Sequence, residues 1–159
     1  MKLCCVFVCN KNYFTKFADS CSQLIKYGNH KGDICLVIDD DLVGDKLLES
    51  SIIKDNNIIV KHFKKVAIPE EKYKNASHKD KVDGCSLKFN LFKTYFKKWD
   101  FIFYMDCGIR IYDDISPMVN EATKSKLLAH SDAYPTYEWK LRIQFNEDSE
   151  LNKMYDLNT

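Results

Sequence analysis

The sequence predicts an α/β fold in which a mostly parallel sheet is flanked by helices. Four apolar runs of strand length, at residues 3–9, 33–38, 58–63 and 101–105, supply the strands. Segments with helical spacing lie between them, and strands joined through helix-length connections pair in parallel with right-handed crossovers. Polar clusters such as Asn10-Lys11-Asn12 and Asp39-Asp40-Asp41 stop the first two runs abruptly, as strand ends require.

Taken in order, Leu3 to Cys9 is a continuous apolar run, the pattern of a strand buried on both faces. Phe14, Phe17, Ala18, Cys21, Leu24 and Ile25 repeat at helical spacing, predicting a helix over about 12–27 that Gly28 closes in a left-handed conformation. Asp33 to Ile38 is the second strand. Asp45 is placed to cap a short helix running through Leu47, Leu48 and Ile52. Ile58 to Phe63 forms the third strand, and the Lys-rich stretch 64–82 reads as a mobile, exposed loop.

From Asp83 onward, Cys85, Phe89, Phe92 and Phe96 fall on one helical stripe and Leu87, Leu91 and Tyr95 on its neighbour. This predicts a deeply buried helix over 84–98, ended by Trp99-Asp100. The fourth strand, 101–105, runs directly into Asp106-Cys107-Gly108, and a short apolar stretch, Ile109 to Ile111, follows. Further strands are expected at 127–129 and 137–145, with a weak final helix in the polar tail.

The chain has 159 residues, 45% of them hydrophobic, and a formal net charge of +1. That length supports one domain with its own core, without disulfides or a structural metal. Near-neutral charge, with Lys interleaved among acids, argues against nucleic acid as a partner. The seven cysteines lack CxxC spacing and read as buried free thiols of a reducing compartment, so a cytoplasmic location is expected. No membrane segment or signal peptide is evident. Asn75-Ala76-Ser77 matches the glycosylation tripeptide by chance in this reading.

Ligands of open α/β sheets sit outside the carboxyl ends of the strands. The residues to weigh are therefore Asn10 to Asn12, Asp39 to Asp41, and Asp106 to Gly108. Neither GxGxxG nor GxxxxGK[ST] is present, which disfavours dinucleotide and P-loop sites. Asp106, held at the sheet rim by five large apolar residues, reads as a ligand for a cation or a sugar hydroxyl, or as turn chemistry with Gly108 at positive φ. Arg110 reads more readily as a salt-bridge partner at the rim than as a phosphate ligand. His62 and His78 show no evident partner and are expected to be chemically idle.

The order of elements, with Leu87-Lys88-Phe89 leading to Trp99-Asp100, the strand, Asp106-Cys107-Gly108 and Asp114-Ile115, resembles the nucleotide-sugar-binding half of GT-A glycosyltransferases. The resemblance is nearest to the glycogenin-like family 8 and related enzymes of large DNA viruses, and it spans about residues 3–132. It implies a Rossmann-like sheet and a glycosyltransferase that moves a sugar from a UDP-sugar to a protein or glycan acceptor, in host cytoplasm or virion if viral. On this resemblance Val8, Cys9 and Asn10 border the uracil and ribose, and an acid of the group Asp39, Asp40 and Asp41 lies near the base or ribose, with Asp39 and Asp40 as the candidates for the site. Lys88 approaches the diphosphate. Asp106, with Cys107 and Gly108, stands where the family has DxD.

The resemblance further implies Mn²⁺ or Mg²⁺ held through Asp106. The departure is Gly108, which occupies the place of the second Asp, so Lys88 or Arg110 could supply part of the neutralising charge instead. His130 to Trp139 mixes aromatic rings with polar groups, a composition suited to a sugar or to a surface loop that covers the end of the core, and Asp132 is the candidate catalytic residue, as an acceptor from sugar hydroxyls or as a base. The whole of 1–159 is expected to be one nucleotide-sugar-binding domain without a complete acceptor-binding half. Two alternatives stand beside this reading: a non-catalytic nucleotide-sugar-binding or scaffold domain, and a sugar-nucleotide nucleotidyltransferase. The second would need a Gly-rich basic loop after the first strand, which Asn10-Lys11-Asn12 is not.

Overall fold

The computed structural model describes residues 2–65 and 86–121. These lie in the first of two compact units into which the chain divides, Met1–Lys124; the second, Ser125–Thr159, falls outside the described residues. Four parallel strands, β1 (Leu3–Cys9), β2 (Asp33–Ile38), β3 (Ile59–His62) and β4 (Phe101–Met105), form one sheet in the order β3-β2-β1-β4. The fold is thus the Rossmann-like α/β arrangement that the apolar runs predict.

β1 lies between β2 and β4, with Phe7 opposite both Leu36 and Met105. Its alternate side chains enter two separate cores. Cys5, Phe7 and Cys9 face α1 (Phe14–Lys26), whose Phe14, Phe17, Cys21 and Leu24 are buried. Phe7 and Phe17 meet edge to face at 5.3 Å. Cys4 and Val6 face the opposite side, where Phe96 and Trp99 close the second core. The run is continuous in hydrophobicity because both faces of the strand are covered.

Two details of α1 depart from the sequence reading. Ile25 is exposed, and the left-handed residue after the helix is Asn29, at φ 49°, with Gly28 at negative φ. Asn tolerates this region because its short amide bonds locally, and here Asn29 Nδ2 donates to Asp114 Oδ2 at 2.9 Å. Asp45 caps as expected, accepting from Leu47 N ahead of a 3-10 turn and of α2 (Ser51–Lys54).

The expected helix over 84–98 is not continuous. Two 3-10 segments, Leu87–Phe92 and Thr94–Lys98, meet at Lys93, which is extended. In a 3-10 helix residues three apart are superposed. Leu87 and Asn90 therefore turn inward together, while Phe89 and Phe92 turn outward, 58% and 77% exposed. The break at Lys93 resets the phase so that Phe96 and Trp99 reach the sheet. Asn90 Nδ2 donates to Leu87 O and Lys64 O, fixing the first segment at the exit of β3.

The apolar stretch Ile109 to Ile111 is irregular, and α3 (Ser116–Asn120) follows with Pro117 in its first turn. Most of the 64–82 loop, the strands expected at 127–129 and 137–145, and the final helix lie outside the described residues. No helix among the described residues is long and apolar enough to cross a membrane.

Candidate functional site

The strand order places a reversal of chain direction across the sheet between β1 and β4. From β1 the chain moves outward to β2 and β3, then returns to the other side of β1 as β4. Such a reversal opens a crevice at the carboxyl ends of the strands. Asn10 leaves β1 there and Asp106 leaves β4 there.

Backbone and thiol contacts hold this rim together. Asp39 N donates to Cys9 O at 3.0 Å, and Cys107 Sγ donates to Val8 O at 3.2 Å. Val8, Cys9, Asn10, Asp39, Cys107 and Gly108 are thereby brought to one edge, as the sequence reading expects. Asn10 uses its Oδ1 to accept from Tyr13 N at 3.1 Å and so caps the turn leading into α1.

Lys88 and Asp106 meet directly. The ammonium lies 2.7 Å from Asp106 Oδ1, and the Tyr104 hydroxyl donates to the same oxygen. Partial burial pushes the Asp106 carboxyl up, but the hydrogen bonds from Lys88 and Tyr104 and the charge of Lys88 outweigh it and hold the group below its ordinary value. The carboxylate side chain remains 60% exposed, so the pair is open to a ligand.

The three consecutive aspartates separate in role. Asp39 is buried, accepting from Asp40 N and pairing with Lys65 Nζ at 2.9 Å. Exposed Asp40 pairs with His62 Nε2 at 2.6 Å, which corrects the reading of His62 as partnerless. Asp41 accepts from Lys11 N through both oxygens, and Lys11 Nζ pairs with Asp45 at 2.6 Å. Asp39 is thus a structural carboxylate, and Asp40 is the member of the candidate pair that faces solvent.

The donor set of the described residues does not fit a divalent cation. Mn²⁺ and Mg²⁺ want several anionic or carbonyl oxygens at once, whereas Asp106 already carries a cation and no three His, Cys, Asp or Glu converge among the described residues. Position 108 does not help. Gly108 has φ +98°, and a Cβ built there points at the Lys16 stem, 3.5 Å away on α1.

Arg110 has no carboxylate within ion-pair distance among the described residues, contrary to the salt bridge expected of it. It lines, with Lys16, a cavity of about 260 Å³ between α1 and the 107–110 turn. Sequence reasoning missed Lys16, Ser20, Tyr104 and Lys65. Ser20 left a signal, being polar yet on the apolar stripe of α1; it is buried and bonds Ile109 O at 2.8 Å and Gly108 N at 2.9 Å. Asp132 and the surrounding 130–139 segment lie outside the described residues, as does His78.

Of the described cysteines, Cys4, Cys5, Cys9, Cys21 and Cys35 are buried free thiols and Cys107 is half-buried. Burial pushes Cys5 and Cys21 up to about 12. The Cys107 contact raises Cys9, and the same contact lowers Cys107. No family model matches the chain, and no curated protein matches it in sequence.

Proposed function

We propose that the chain binds a nucleotide sugar, of the UDP-sugar class, in the crevice between β1 and β4 and serves as the donor-binding domain of a glycosyltransferase. The observation that carries this reading is the Lys88–Asp106 pair, held by Tyr104 at the point where the sheet reverses direction. A half-buried cation fixed beside an exposed carboxylate offers a donor to a diphosphate and an acceptor to sugar hydroxyls in one place. Val8, Cys9 and Asn10 would border the base, with Asp40 in reach of its ribose.

In this mechanism Lys88 takes the share of charge neutralisation that the related enzymes give to Mn²⁺ or Mg²⁺. Its ammonium stabilises negative charge developing on the diphosphate as the sugar leaves. Asp106 positions the Lys88 ammonium, and Cys107 and Gly108 shape the turn beneath it. The reading places the protein in a reducing cytoplasm, consistent with six described thiols, all free.

The engagement of Asp106 by Lys88 also favours a second reading, a domain that binds the nucleotide sugar without transferring it. Thermal shift with UDP, GDP and CDP, each with and without Mn²⁺, tests binding, because a ligand of the folded state raises stability by RT ln(1 + [L]/Kd). One nucleotide is expected to stabilise the chain. No shift with any of them at millimolar concentration overturns both readings; binding without sugar release in the presence of acceptor glycans selects the second.

A further inference from the structure

The cavity between α1 and the turn after β4 opens on the far side of the turn from the Lys88–Asp106 pair and shares only Cys107 and Gly108 with the rim of the crevice. Neither Lys88 nor Asp106 lines it. Its walls include Lys16, Ser20 and Gln23 from α1 and Gly108 and Arg110 from the turn, with Asp19 as the carboxylate among the described lining residues. Its volume, about 260 Å³, is at the small end for ligand sites. A small polar group fits such a space better than a base or a lipid chain.

Three hydrogen bonds clamp the turn to the helix. Gly108 N donates to Ser20 Oγ at 2.9 Å, Ser20 Oγ donates to Ile109 O at 2.8 Å, and Ile111 N donates to Gln23 Oε1 at 2.9 Å. The last bond fixes the Gln23 side chain with its amide oxygen committed, which leaves its NH₂ as a donor. The turn and the Ser20 and Gln23 side chains are therefore set before any ligand arrives, and ordering on binding falls to exposed Arg110 and to exposed Lys16, whose ammonium lies 4.7 Å from the centre of the Tyr13 ring. Gly108 keeps the space open, since a side chain there would point at Lys16.

We propose that this cavity binds a phosphoryl oxyanion, with Lys16 and Arg110 supplying the charge and Gln23 a neutral donor. Arg is suited to the role because its planar fork meets two oxygens at once. The phosphoryl group could be free phosphate or the end of a phosphomonoester; both present the same oxygens. The inference does not rest on nucleotide-sugar binding in the crevice.

The test is titration of the full ¹⁵N-labelled chain with inorganic phosphate, and separately with glucose 6-phosphate, at constant ionic strength. Saturable shifts are expected at the amides of Gly108, Ile109 and Arg110, with a Kd on the order of 1 mM. Lys16→Ala with Arg110→Ala should weaken binding about tenfold or more, Arg110→Lys less, and Asp19→Asn should tighten it about twofold. Lys46→Ala with Lys97→Ala removes the same charge elsewhere and should leave the shifts unchanged. Tighter binding of the ester assigns the site to a phosphomonoester, and equal binding assigns it to the phosphoryl group alone. Non-saturating shifts, or equal effects of the two double variants, overturn the proposal.

Discussion

The Lys88 ammonium sits 2.7 Å from the Asp106 carboxylate, one on the 3-10 segment that covers the second core and the other at the end of β4. Because Asp106 lies below its ordinary value, its contribution to stability is present above the unfolded pKa of about 3.9 and is lost as pH falls through the folded value. Lys88→Ala removes the favourable partner and leaves the burial. The Asp106 titration, followed by carboxyl ¹³C NMR, should move upward in this variant. An unchanged titration would show that the pair does not form in solution.

Cys107 should be the first of the six described cysteines to react with iodoacetamide near neutral pH. It is half-buried and its thiol is lowered by Cys9, whereas the others are buried and all but Cys35 are raised. Peptide mapping after partial alkylation reads the order. Modification of Cys5 or Cys21 ahead of Cys107 would contradict the packing described for α1.

Phe17→Ala should cost about 3–5 kcal/mol, since the ring is fully buried against Phe7 and Phe14. Phe92→Ala should stay within about 0.5 kcal/mol, because that ring is 77% exposed. Urea midpoints compare the two. Equal losses would restore the continuous buried helix expected from the stripe of aromatic residues.

Gly108→Ala should cost about 1–2 kcal/mol, because the new Cβ meets only ordinary contact with Lys16 and the penalty is that of positive φ. Gly32→Ala should cost more, since its Cβ would lie 2.2 Å from the Leu3 carbonyl oxygen, and backbone cannot step aside as a side chain can. Thermal denaturation of both variants ranks them.

The strands were legible because β1 and β2 are covered on both faces, so their hydrophobicity is unbroken and needs no phase to be recognised. The Asp45 cap and the positive φ of Gly108 follow from local chemistry, and both occur. The 84–98 segment was misread because apolar rings at three- and four-residue spacing satisfy a helix equally well on paper. Only the burial of Leu87 and Asn90 and the packing of Phe96 against Cys4, Val6, Cys35 and Val37 select the tighter winding. The order of elements put Lys88 and Asp106 at one expected site but gave no sign of their direct ion pair, and Lys16 and Arg110 share a wall through a turn that no spacing in the sequence encodes.

The central position of β1 has a consequence in time. β1 can find β2 after the short connection 10–32, but it meets β4 only when the chain has returned across residues 10–100. Long closures come later and more slowly than short ones. A chain stalled with only its first three strands assembled would lack one wall of the crevice. Any ligand recognised there is therefore also an inspector of finished folding, since it can stabilise nothing short of the completed sheet.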